Sequence, residues 1–103
     1  MSETRVELPT KEQFLEHLGT KFKATLEDGQ VFEIEFLRLD EKISTKIQEG
    51  YSLIFKAPLE TPPFQGMFHL EHETLEPLDL FLVPINQKED GLIFEAVFNL
   101  LKI

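Results

Sequence analysis

The sequence predicts a mainly β domain: six strands in an antiparallel meander, closed into a small barrel or rolled, with one short N-terminal α-helix. Three observations predict it. Four runs between Gly50 and Asn99 are rich in Phe, Leu, Ile and Val and are bounded by Gly, Pro, Asn or acidic turn residues. Upstream, Thr20 to Asp40 alternates apolar and polar residues on both sides of an Asp28-Gly29 turn signal. Before that, Thr10 and Gln13 have the spacing of a helix capping box.

Residues 1–8 read as a mobile arm, and residues 9–103 as a single small β domain. Thr10 satisfies free N–H groups at the start of a helix that Gly19 ends, a segment of about two turns. Phe14, Leu15 and Leu18 give it one apolar stripe, by which so short a helix must dock.

The register of the first hairpin follows from its faces. Phe22, Ala24 and Leu26 share one face of the first strand, and Phe32, Ile34 and Phe36 share one face of the second. A two-residue Asp28-Gly29 turn would pair Phe22 with Glu35 and set charge against the core. A three-residue loop, Glu27-Asp28-Gly29, pairs Ala24 with Phe32 and Phe22 with Ile34. The loop is therefore a type I turn followed by Gly29 in the left-handed region. After Phe36 the apolar residues change parity to Leu37 and Leu39, which predicts a bulge between Phe36 and Arg38. Asp40 to Glu49 is polar, with Ile43 and Ile47 one helical turn apart, and reads as a long connection.

The four later strands are Gly50–Ala57, Gly66–His72, Leu78–Ile85 and Leu92–Asn99. Tyr51, Leu53 and Phe55 form the inward face of the first, and Phe68 and Leu70 that of the second, opposite Met67, His69 and Glu71. Pro62-Pro63 stiffens the loop between them, and Pro84 marks the end of the next strand. Asn86 to Gly91 is a polar hairpin loop, after which Phe94, Ala96 and Phe98 alternate with Glu95 and Asn99. Leu100, Leu101 and Ile103 then form an apolar tail. Either it extends the last strand over its own core, with Leu100 continuing the inward parity, or it docks on another chain. In the first case Leu101 and Ile103 face outward as partner contacts.

Composition excludes more than it assigns. The chain of 103 residues has no Cys, ten Phe and a formal net charge of −9. Disulfides and cysteine zinc sites are ruled out. An acidic chain without a basic patch is repelled by nucleic acid and by anionic membranes. No apolar run spans a bilayer and the N-terminus has no signal-peptide core, so the expected location is the cytoplasm.

Candidate sites are few. His69, Glu71 and Glu73 lie at strand spacing, with His72 beside them, and two imidazoles with two carboxylates are ligands that divalent metals accept. The plainer reading is a polar strand face. Ser2, Ser44 and Ser52 sit in no nucleophile elbow, and no glycine-rich phosphate loop occurs. No catalytic residue and no cofactor is expected. Asn99 and Gln65-Gly66 read as structural, an amide fixing backbone and a glycine in the left-handed region. The Phe residues read as a filled core, because six strands leave little interior room.

Several of these stretches also resemble a known group. Tyr51 to Pro58 (Y-S-L-I-F-K-A-P), Gln65 to His72 (Q-G-M-F-H-L-E-H), Leu80 to Pro84 (L-F-L-V-P) and Phe94 to Asn99 (F-E-A-V-F-N) resemble a family of short bacterial proteins known only as a domain of unknown function. Ala57 replaces a usual Gly, Phe68 a usual Tyr, and Glu76-Pro77 sits where Leu-Gly is common. The resemblance implies a small β domain and no assigned activity. Its association with phage-tail-like and tail-collar-like proteins leads to the expectation of a non-enzymatic interaction or assembly module, accessory to such a particle, with a protein partner or a second copy. The alternative is a small barrel that binds an apolar ligand or a divalent metal.

Overall fold

The structure, a computed structural model, describes residues 9–101. The arm expected at residues 1–8 and the tail residue Ile103 lie outside the described residues. Helix α1 (Lys11–Leu15) is followed by six strands: β1 (Lys21–Thr25), β2 (Val31–Ser44), β3 (Gln48–Ala57), β4 (Gly66–Glu71), β5 (Leu78–Lys88) and β6 (Gly91–Leu101). Every neighbouring pair is antiparallel, and the sheet closes on itself in the order β1-β2-β3-β6-β5-β4. The barrel is thus closed rather than an open roll, but its strands do not run round the ring in one meander. Two three-stranded meanders meet at two seams, β3 on β6 and β1 on β4. The reason lies in residues 58–65, a proline-rich crossing too long and too stiff for a hairpin, which carries the chain across the barrel end instead of into the adjacent place.

Inward-facing side chains account for the ring. Phe22, Ala24, Ile34, Phe36, Leu53, Phe55, Phe68, Leu70, Leu82, Phe94 and Ala96 are all buried. Phe55 lies against Phe36, with ring centres 5.3 Å apart, and edge-on to Phe22 at 5.8 Å; Phe68 meets Phe94 at 5.5 Å. Ring-to-ring contacts at this spacing fill the interior.

The first hairpin has the register its faces demand. Phe22 pairs with Ile34 and Ala24 with Phe32, Leu26 N–H donates to Gln30 O at 2.9 Å, and Gly29 has φ +93°. Asp28 Oδ1 accepts the Gln30 N–H at 3.0 Å, which holds that carboxyl below its ordinary range. The parity change in β2 is a bulge between Phe36 and Arg38.

Several boundaries differ from the sequence reading. Residues 40–49 are no long connection: β2 runs to Ser44 and β3 starts at Gln48, so a tight turn joins them and a second bulge falls between Glu41 and Ile43. This part of the β2–β3 ladder projects beyond the core, so its side chains are polar although its backbone is paired. Pro84 does not end β5, which continues to Lys88. The proline is tolerated because β5 changes partner there, bonding β4 up to Leu82 and β6 from Val83, with a bulge after Pro84. Accordingly the Asn86–Gly91 loop shrinks to Glu89-Asp90, between the paired Lys88 and Gly91.

Gly66 also has a different role from the one expected. Its φ is not positive; instead the Phe64 ring lies 2.7 Å from where a Cβ would stand. The glycine is there so that Phe64 can fold back over the strand towards Phe68.

Candidate functional site

The residues singled out as metal candidates do not converge. His69 points outward from β4 and meets Asp79 across the ladder, Nδ1 to Oδ1 at 2.8 Å. Glu71 is 3.2 Å from Lys23 Nζ. His72 turns the other way, towards Phe22, with ring centres 4.6 Å apart. Among the described residues no three His, Asp or Glu are grouped so as to hold a metal ion. Ser52, on β3, is fully buried with its hydroxyl unpartnered, so no base reaches it. Asn99 lies over Gly50 on the facing strand, its Oδ1 3.0 Å from the position of an added Cβ.

What the structure brings together instead is His17, just after α1, with Thr20, His72 and Thr74. Their hydrogen bonds close on one another, and the partners fix the tautomers. Thr74 N–H donates to His72 Nδ1 at 3.1 Å, so His72 carries its proton on Nε2 and donates it to Thr20 Oγ1 at 2.9 Å. The Thr20 hydroxyl in turn donates to His17 O at 2.6 Å. His17 Nδ1 faces Gln13 O at 2.7 Å, an atom that only accepts, so the proton sits there. His17 Nε2 is then an acceptor for the Thr74 hydroxyl at 2.8 Å. The two imidazoles meet edge to face with centres 4.9 Å apart. Burial, and secondarily the charge of His17, push the His72 pKa below its ordinary value, against a smaller opposing effect of Glu73.

A threonine hydroxyl beside an imidazole has two parts of a nucleophile–base pair. Here the N–H of Thr74 itself is committed to His72. The arrangement ties three segments together: the turn after α1, the start of β1 and the loop before β5. The cluster also lines an open groove of 750 Å³ with Lys21, Lys23, Glu33, Glu71 and Glu73. The sequence holds no local signal for it, because His17 and His72 lie at opposite ends of the chain's first three-quarters and only ring closure joins them.

Helix α1 sits over the same end of the barrel. Its capping box forms, with Gln13 N–H donating to Thr10 Oγ1 at 3.1 Å and Thr10 N–H to Gln13 Oε1 at 2.8 Å. Of the expected apolar stripe only Phe14 docks: it is buried against Phe36 and Phe98, whereas Leu15 and Leu18 stay 39% and 44% exposed. The helix is five residues long and meets the barrel along one narrow line, so there is room for a single plug. Lys11 bonds Glu41 and lies 3.5 Å from Glu49 on the projecting β2–β3 ladder.

On the outer surface, Met67 and Phe81 face each other across β4 and β5, and Val97 and Leu101 point outward from β6. Phe81 is 49%, Val97 59% and Leu101 71% exposed. The tail does extend the last strand as far as Leu101, which pairs with Gln48, while Leu100 is half exposed at the barrel mouth rather than covered. No helix among the described residues is long and apolar enough to cross a membrane.

Fold and side chains together define a small closed antiparallel β-barrel domain, plugged at one end by a capped helix. Residues 9–98 match the family described as domain of unknown function DUF6916, and the chain belongs to that family. No curated protein and no solved structure matches it.

Proposed function

We propose that the domain is a non-enzymatic interaction module that presents the outer face of β4, β5 and β6 to a protein partner. The observation that carries this reading is the exposed apolar set Met67, Phe81, Val97 and Leu101 on a chain of net charge −9. A large aromatic on the solvent side of a strand has no role in the barrel's own core, and exposed apolar patches mark contact surfaces. Leu101 is the tail contact in this reading. Work as an accessory of a phage-tail-like or other bacterial assembly, in the cytoplasm, is the finer form of the proposal, supported by the family resemblance and the cysteine-free acidic composition.

Native mass spectrometry of the purified chain tests it, with the Phe81→Lys/Val97→Lys double variant alongside. A defined oligomer or a stoichiometric protein complex, lost in the variant at unchanged melting temperature, is the expected result. A retained small molecule or metal with no protein partner would replace this reading by the ligand-binding one.

A further inference from the structure

We propose that His17, Thr74 and His72 form an acid-operated latch: it holds α1 over the barrel mouth while at most one imidazole is charged, and releases when both are. The hydroxyl of Thr74 is central. It stands 2.8 Å from His17 Nε2 and 3.3 Å from His72 Nδ1, so it faces two imidazole lone pairs and has one proton to give. With both rings neutral it donates to His17. When His17 takes a proton, Nε2 becomes a donor, the hydroxyl accepts from it, and its own hydrogen turns to His72. The network survives the first proton unbroken.

The second proton finds only the remaining lone pair of the Thr74 hydroxyl, 3.3 Å from His72 Nδ1, and costs the bond that Nδ1 accepts from the Thr74 N–H. His72 Nε2 already bears hydrogen for Thr20, so the proton must go to Nδ1, which points at the Thr74 N–H only 3.1 Å away. A donor then faces a donor, and two cations stand with ring centres 4.9 Å apart.

The charged groups facing the pair come from every side of the groove: Lys21 and Lys23 from β1, Glu33 from β2, Glu71 from β4 and Glu73 from the following loop. Lys21 and Glu33 lie 3.7 Å apart and Lys23 and Glu71 3.2 Å, so they offset one another, which leaves Glu73 as the one carboxylate that favours a charged His72. Histidine is the side-chain type whose ordinary change of charge falls in the range about pH 5–7.5, and the two imidazoles are the histidines that line this groove.

Release has a defined structural consequence. His17 belongs to the turn that also carries Gly19, whose N–H donates to Phe36 O at 2.8 Å, while Phe36 N–H donates to Thr20 O at 3.0 Å. Loss of the latch frees that turn, and with it Phe14 leaves Phe36 and Phe98, opening an apolar mouth.

Amide exchange on the wild-type chain from about pH 7.5 to 5, with both imidazole Cε1–H shifts followed by NMR, tests the proposal. The expected result is a fall of at least ~10-fold in the protection of Gly19 and Phe36 relative to Leu53, tracking the second imidazole to titrate. Thr74→Val keeps the shape and removes the shared hydroxyl, so the same fall should begin at higher pH. His69→Asn, on the outer face beside Asp79, should leave it where it is. Full protonation of both imidazoles with Gly19 and Phe36 still protected would overturn the latch. So would loss of protection at Leu53 in parallel, or an equal shift in His69→Asn. Should Thr74→Val not fold, the wild-type titration and the His69 control still decide.

Discussion

The two ends of the barrel are closed by different chemistry. At one end, α1 is held by a single apolar plug, Phe14, and by polar links: Lys11 with Glu41 and Glu49, and the His17–Thr74–His72 cluster. At the other, residues 58–65 cross the opening and hold by shape. Pro62 and Phe64 line a groove with Leu26, Glu27, Asp28 and Gln30 of the first hairpin, and Phe64 folds over Gly66. Prolines limit the freedom of that loop before it folds, whereas the helix is tied down by one buried ring and by hydrogen bonds and ion pairs. The difference teaches that a small barrel can close one end by chain stiffness and the other by polar links without altering the wall between them.

The largest expected effect should erase the contrast. Phe55 touches both Phe22 and Phe36 and pairs with Phe94, so it serves both ends. Phe55→Ala should cost about 3–5 kcal/mol in denaturant unfolding and lower protection everywhere. Phe14→Ala should cost about 3 kcal/mol, with protection lost at Gly19 and Phe36 and retained across residues 58–65. Equal losses at both lids would show that they are coupled through the core. Gly29→Ala acts at the other end: space is open around a Cβ, but φ is +93°, so strain alone should cost roughly 1 kcal/mol in thermal unfolding.

The smallest and most selective effect is that of pH. The folded pKa of His72 lies below the ordinary 6.5, so the unfolded chain binds this proton more readily than the folded one. The stability it confers is complete above about pH 6.5 and declines as pH falls from there towards the depressed folded value. A series of melting curves should show this decline, and His72→Gln should flatten it. A decline that persists in the variant would move the pH sensitivity elsewhere in the molecule.

How far the sequence revealed this depends on whether the information was local. The register of the first hairpin and the Phe36/Arg38 bulge were legible because each is forced by which side chains must face inward. Ring order was not, since an inward-facing alternation looks the same whichever strand stands beside it. Leu15 and Leu18 were overrated because a helical stripe shows what could be buried, and not how much surface there is to receive it. The His17–His72 pair was out of reach for the same reason as the ring order: it exists only after the ends of distant segments meet. The outward Leu101, by contrast, followed from the parity of Phe94, Ala96 and Phe98 along the last strand.

Closure by two seams has a consequence for how the chain assembles. The β1–β2 and β5–β6 hairpins join neighbours in sequence, but the β3–β6 seam must bring Gln48 to Leu101, and β1–β4 must bring Thr25 to His69. Distant pairings carry most of their ordering cost before any contact repays it, so the hairpins can form early and the seams must form late. Until they do, each three-stranded half has two bare edges lined with Phe and Leu. Such edges invite pairing with other chains. The same ring that leaves the finished molecule few edges therefore makes its last folding step the one most open to misassembly, and concentration during refolding should matter more for this protein than its size suggests.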